Sequence, residues 1–207
     1  MFAALGRALA TRDRDTHDHS VRVQRYAAAL ARQADVADDL LASIDTAALL
    51  HDIGKLGIPD QLLHKPGPLT RDEYDEVKQH AVFGAEILEA AACPGPLASL
   101  VRHHHENWDG TGYPDGLAGD TIPMGSRVLA VADCYDALTS DRPYRRALAH
   151  HTAVAMIFER RGTMFDPAVT DAFLQIVWRL RSAAATELAR KQYAHVPFRR
   201  QLAARAI

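Results

Sequence analysis

At 207 residues, 48% hydrophobic and 24% charged, the chain can bury a full core as one domain, and no run approaches the roughly 18 apolar residues of a membrane span. A net charge of −2 excludes a general attraction to nucleic acid, so an anionic ligand must be met by local cations or metal. Cys93 and Cys134 lack CxxC spacing, which argues against a disulfide framework or a thiolate zinc site and fits a reducing, cytoplasmic compartment. The N-terminus carries neither the basic segment nor the unbroken apolar segment of a secretory signal. Eleven histidines, three of them consecutive, are the unusual count.

Residues 2–10 suit a short helix, cut by the polar turn from Thr11 to Asp15. From Thr16 to about Ala34, Val23, Tyr26, Ala27, Leu30 and Ala34 recur at helical intervals. Asp15 and His19 share one face at its start. Asp38-Asp39 opens a second helix, Leu40 to Leu50, which delivers the adjacent ligand types His51 and Asp52 before Gly54, Gly57 and Pro59 break it. Thr70 to Glu73 reads as a capping box. The helix behind it is expected to run unbroken to about Ala92, with a buried stripe of Tyr74, Val77, Ala81, Gly84, Ile87 or Leu88, and Ala91. His80 borders that stripe.

Leu97, Leu100 and Val101 mark a short helix entering Arg102-His103-His104-His105-Glu106. The loop Asn107 to Gly116 follows, its glycines and Pro114 specifying a defined path anchored by Trp108 and Tyr113. A histidine run behind a core helix points to metal more than to a solvated tract. Pro123 opens a long helix with inner face Val128, Leu129, Ala132, Tyr135 and Leu138. Asp133 and Asp136 lie within it, and buried acids there need a partner or a metal. Asp141 to Arg146 is a compact basic turn. A helix is expected around Thr152–Arg161, and Asp166-Pro167 forms a cap and first-turn pair for a last helix bearing Val169, Phe173, Ile176, Val177 and Leu180. Beyond Ser182 the chain turns alanine-rich and basic: a peripheral helix, a partner-binding tail or disorder. No strand alternation occurs, so the expected class is all-α, with residues 1–182 as one domain and 183–207 as a tail.

Taken in order, His19-Ser20-x-Arg22-Val23, His51-Asp52-Ile53-Gly54-Lys55-x-Gly57-Ile58-Pro59, His80 and His104-His105-Glu106-x-Trp108-Asp109-Gly110-x-Gly112-Tyr113-Pro114 resemble the HD-GYP family. This is a branch of the HD-domain metal-dependent phosphohydrolases. The likeness continues through Gly116-Leu117, Ile122-Pro123, Arg127, Ala132-Asp133-x-x-Asp136-Ala137-Leu138-Thr139, Arg142-Pro143-Tyr144-Arg145 and Gly162-x-x-Phe165-Asp166-Pro167. It covers roughly residues 15–180.

The resemblance implies an HD-domain helical bundle with further C-terminal helices. It also implies hydrolysis of cyclic di-GMP to linear pGpG, and in many members on to GMP, at a binuclear iron or manganese centre. Carried over by position, the ligands are His19, His51, Asp52, His80, His104, His105 and Asp133, with Asp52 bridging two metals. Lys55, Arg142 and Arg145 match residues that hold substrate phosphates. Where some members place a third-metal Glu, this chain has Asp15. The GYP loop is a docking surface for a diguanylate-cyclase-type (GGDEF) partner in that family, although shaping the backbone beside His104-His105 is the simpler role here.

The donor chemistry agrees. Five imidazoles and two carboxylates without thiolate suit iron or manganese. Two cations about 3.5–4 Å apart stabilise both attacking and leaving oxygens of a phosphodiester and lower the pKa of bound water. The competing readings are a non-hydrolytic cyclic di-GMP sensor, a phosphohydrolase for another nucleotide, and an adaptor using the basic tail. A sensor would have lost ligands, and the complete GYP loop disfavours the general phosphohydrolase.

Overall fold

Small residues on the first helix set how closely its neighbours approach. The computed structural model describes Leu5, Gly6, Leu9, Thr11, residues 14–141 and residues 145–193, without the side chains of residues 14–16 and 181–193. Of the helix expected over residues 2–10, only Leu5, Gly6 and Leu9 are described, all helical. Helix α1 (Arg14–Gln33) buries Val23, Tyr26, Ala27, Leu30 and Ala31, a stripe at the helical period, against α2 (Asp38–Leu50). Ile44, Ala47, Ala48 and Leu50 are the matching buried face. Each fully buried large aliphatic here contributes about 1.5–3 kcal/mol relative to exposure.

After α2 the chain tightens into a 3-10 turn, Ile53–Gly57, and a single helical turn, α3 (Asp60–Leu63). Next come α4 (Arg71–Lys78), α5 (His80–Ala90) and α6 (Leu97–Arg102). The long α7 (Met124–Thr139) packs on α1 and α2, and α8 (His150–Glu159) on α7. Ser126 in α7 donates its hydroxyl to the Leu100 carbonyl at 2.9 Å, pinning α7 to α6. The last helix, α9 (Pro167–Tyr193), starts where Asp166 Oδ1 accepts the Ala168 amide at 2.7 Å, the expected cap. By internal contacts the chain divides into residues 1–176 and residues 177–207. Among the described residues there is no strand, only the isolated bridges Asp109–Ala118 and Arg161–Phe165, so the fold is all-α.

One expected element is corrected. The helix from Thr70 is not continuous to Ala92. Its capping box forms, with Thr70 Oγ1 accepting from the Glu73 amide and Glu73 Oε2 from the Thr70 amide, but α4 ends at Lys78. The interruption is the single turn residue Gln79, and at this junction the His80 ring donates Nδ1–H to the Val77 carbonyl at 2.7 Å. Tyr74 is not buried: it is 49% exposed, while Ala81, Gly84 and Leu88 on α5 do line the core.

Candidate metal centre

Helix ends do most of the positioning. His51 caps α2, His80 opens α5, and His104 follows α6 by two residues. Helix termini leave backbone carbonyls without intrahelical partners. His51 Nδ1 reaches the Ala48 carbonyl at 2.8 Å, His80 Nδ1 that of Val77 at 2.7 Å, and His104 Nδ1 that of Val101 at 2.5 Å. The same spacing, three residues back, recurs each time. A carbonyl only accepts, so Nδ1 carries the hydrogen and the neutral ring presents a bare Nε2 lone pair.

His19 is set differently. Its Nδ1 lies 2.7 Å from Asp136 Oδ2, and Asp136 is itself gripped by Arg22 Nε and Nη2 at 2.7 and 3.0 Å. His19 Nε2 then lies 3.0 Å from Asp133 Oδ1.

These side chains form two groups, His80–His104–His105 and His19–His51–Asp133, each with donor atoms within 4.8 Å of one another. Five imidazoles run contiguously, His51 meeting His104 with ring centroids 5.2 Å apart. Asp52 stands between the groups: Oδ2 is 3.5 Å from His51 Nε2, and Oδ1 is 3.8 Å from His80 Nε2. Lys55 Nζ donates to Asp52 Oδ2 at 2.7 Å.

The electrostatics divide the same way. Burial, with three neighbouring imidazoles, holds His104 well below the usual histidine range. Burial and His80 take His105 down to about 3, and burial lowers His80. Burial also opposes charge on His19, but hydrogen bonds to Asp133 and Asp136 outweigh it and raise it to about 9. Burial likewise disfavours ionised Asp52, yet Lys55 and the surrounding histidines keep it well below the carboxylate range.

This arrangement fits a divalent metal. His80 and His104 both spend their Nδ1 hydrogens on carbonyls, yet their Nε2 atoms lie 3.4 Å apart. Two bare lone pairs repel there unless a cation lies between them. Nitrogens sharing one cation at about 2.1 Å stand about 3.0–3.4 Å apart, so the spacing suits a shared metal.

The glycines explain why the walls meet. A Cβ on Gly54 would sit 1.9 Å from the His80 carbonyl oxygen and 2.4 Å from the Gly84 amide. Only glycine lets the 3-10 turn lie on the α5 backbone and bring Asp52 to His80. In the following loop, a Cβ on Gly112 would lie 2.2 Å from the Asn107 amide nitrogen. Glu106 Oε1 accepts from the Asp115 and Gly116 amides at 2.8 and 3.1 Å, and Arg102 holds the Asp115 carboxylate through two bonds of 2.7 Å. The Tyr113 ring stacks beside His105, centroids 4.9 Å apart.

All seven residues expected as ligands thus converge. Lys55 is at the centre. Arg145 donates to the Ala137 and Leu138 carbonyls at the end of α7. Arg142 and the Asp15 side chain lie outside the described residues, as do the side chains of the basic tail. His103, left out of the ligand set, turns away to Ser99 and Asp115. The residue the sequence did not assign is Asp136, which orients His19. Its signal was the three-residue interval from Asp133 on one helix face.

A helical bundle that assembles a histidine–aspartate cage from distant helices defines a metal-binding helical class. Residues 4–169 match the HD domain family. The chain belongs to that family, in its HD-GYP branch. It is 46% identical over 187 residues to a probable cyclic di-GMP phosphodiesterase of Vibrio cholerae serotype O1, covering 83% of this chain and 42% of the relative. It is 42% identical over 178 residues to the cyclic di-GMP phosphodiesterase response regulator RpfG of Xanthomonas campestris pv. campestris, covering 84% and 47%. The chain therefore spans less than half the length of these curated relatives. The fold superposes on a crystal structure of a cyclic GMP-AMP-specific phosphodiesterase of V. cholerae with a TM-score of 0.66 at 19% identity, covering 86% of this chain and 49% of the other. Among the described residues no helix is long and apolar enough to cross a membrane.

Proposed function

We propose that residues 1–182 form a metal-dependent phosphodiesterase domain that hydrolyses cyclic di-GMP to linear pGpG and on to GMP. The observation that carries this reading is Asp52, one oxygen facing each histidine group, with Lys55 on the same carboxylate. Relatives above 40% identity that carry this activity in their names support the substrate. His80, His104 and His105 would hold one cation and His19, His51 and Asp133 the other, with Asp52 shared. The thiolate-free donors favour iron or manganese. Such a pair, when bound, polarises the phosphodiester and lowers the pKa of a coordinated water.

The chain's own residues do the rest. Burial keeps His80, His104 and His105 neutral and available as donors. Lys55 offers an ammonium at the carboxylate edge, where a phosphate oxygen would arrive, and Arg142 and Arg145 are assigned to the remaining phosphate charge. Arg145 would do this while also capping α7. Asp15 is assigned to a third cation. The loop bearing Tyr113 is assigned a second task, docking a diguanylate-cyclase-type (GGDEF) domain. Two free cysteines accord with a cytoplasmic setting.

Incubation of iron- or manganese-loaded protein with cyclic di-GMP, with products resolved chromatographically, tests the reading. Appearance of pGpG and GMP is expected. Tight binding without turnover would make the domain a sensor, and turnover confined to another cyclic dinucleotide would reassign the substrate.

A further inference from the structure

Tyr74 has no packing explanation. It is 49% exposed on a capped surface helix and buries no part of the core. Its ring is nonetheless organised. Lys78 Nζ lies 4.7 Å from the Tyr74 ring centroid and 5.6 Å from that of Tyr113, held in place by Asp75 Oδ1 at 2.6 Å. Tyr113 in turn lies beside His105, tilted by 31°. An aromatic, cation, aromatic run therefore leads from a metal-group imidazole to the surface.

A ligand suited to this run carries anionic charge at its metal end and a flat heteroaromatic face at its outer end. Resting on the phosphodiesterase reading, we infer that Tyr74 and Lys78 form the platform on which one nucleobase of the cyclic dinucleotide stacks. Every base presents a π-face to an aromatic ring, so this contact supplies affinity without choosing between guanine and adenine.

Kinetics of manganese-loaded protein decide it. Tyr74→Ala raises KM for cyclic di-GMP about tenfold with the loss absent from kcat, and Tyr74→Phe, which keeps the ring, restores most of it. The same variant weakens inhibition by GMP but not by inorganic phosphate, which has no base to stack. Normal wild-type turnover with an unaltered KM in Tyr74→Ala would overturn the platform alone. So would an equal loss of phosphate inhibition, which would mean that Tyr74 shapes the metal end. A wild-type protein that neither binds nor cleaves cyclic dinucleotides would instead overturn the phosphodiesterase reading, and the platform with it.

Discussion

His80 and His104 are aimed by backbone carbonyls at helix ends, whereas His19 across the centre is aimed by a carboxylate that an arginine holds in place. The first device adds no charge, so the group containing them is all imidazole and neutral. The second places Asp136 and Asp133 on either side of one ring and favours a proton on it, up to about pH 9. A cation entering the first group meets bare lone pairs, while one entering the second displaces a proton and gains an anionic donor. Two groups of unlike charge thus flank one carboxylate, Asp52. The carboxylate-bearing group is the one better suited to a hard cation.

The sharpest way to break this comparison is to remove what the two groups share. Asp52→Ala removes the carboxylate that lies between the two groups and leaves Lys55 without its partner. Both cations should be lost on desalting. Activity should fall beyond the roughly 100-fold that deleting a residue behind a ligand costs. Elemental analysis alongside turnover checks it; retention of two equivalents of metal would mean that Asp52 does not bridge.

Asp136→Ala tests one side only. It deletes the acceptor for His19 Nδ1, and Arg22, partly exposed, can turn to water. Metal affinity in the His19–His51–Asp133 group should weaken about 10–100-fold while the three-histidine group keeps its cation. A titration showing both sites weakened alike would merge the two groups into one.

The carbonyl device cannot be deleted by mutation, but it can be displaced. In Gly54→Ala the new methyl would meet the His80 carbonyl and the Gly84 amide, pushing the 3-10 turn away from α5. Overpacking of this kind costs about 1–3 kcal/mol. At this chain length that corresponds to about 2–4 °C of Tm per kcal/mol, read by thermal unfolding of metal-free protein. An unchanged Tm would show that the turn yields easily and that the close approach is not what locates Asp52.

The convergence of these side chains was legible beforehand because donor types are written in the sequence. Adjacent His51 and Asp52 behind an apolar helix, and His104 and His105 behind another, announce donors at helix ends. Asp133 was visible as an acid on a core-facing helix. What could not be read were the partners supplied by backbone or by distant helices. The expected single helix is interrupted at Gln79 into α4 and α5, and Tyr74 on α4 faces outward against its helical-stripe reading. Asp136 showed a need for a partner without naming His19, because residues 19 and 136 meet only once α1 packs on α7. Arg145 showed charge but not its engagement with the carbonyls ending α7.

The smallest effect is expected where the carbonyl device is reached through a helix cap. Val77, which receives the His80 ring, sits near the end of α4, and α4 begins at the Thr70–Glu73 capping box. Thr70→Ala removes the side-chain acceptor of that box and should lower Tm by about 2–4 °C. Because the His80 to Val77 bond is local and α5 remains fixed by Gly54 and Gly84, metal affinity of the three-histidine group should stay within about twofold of the wild type. A tenfold or greater loss of metal affinity, about 1.4 kcal/mol, would mean that α4 as a whole, rather than a single carbonyl, holds His80 in place.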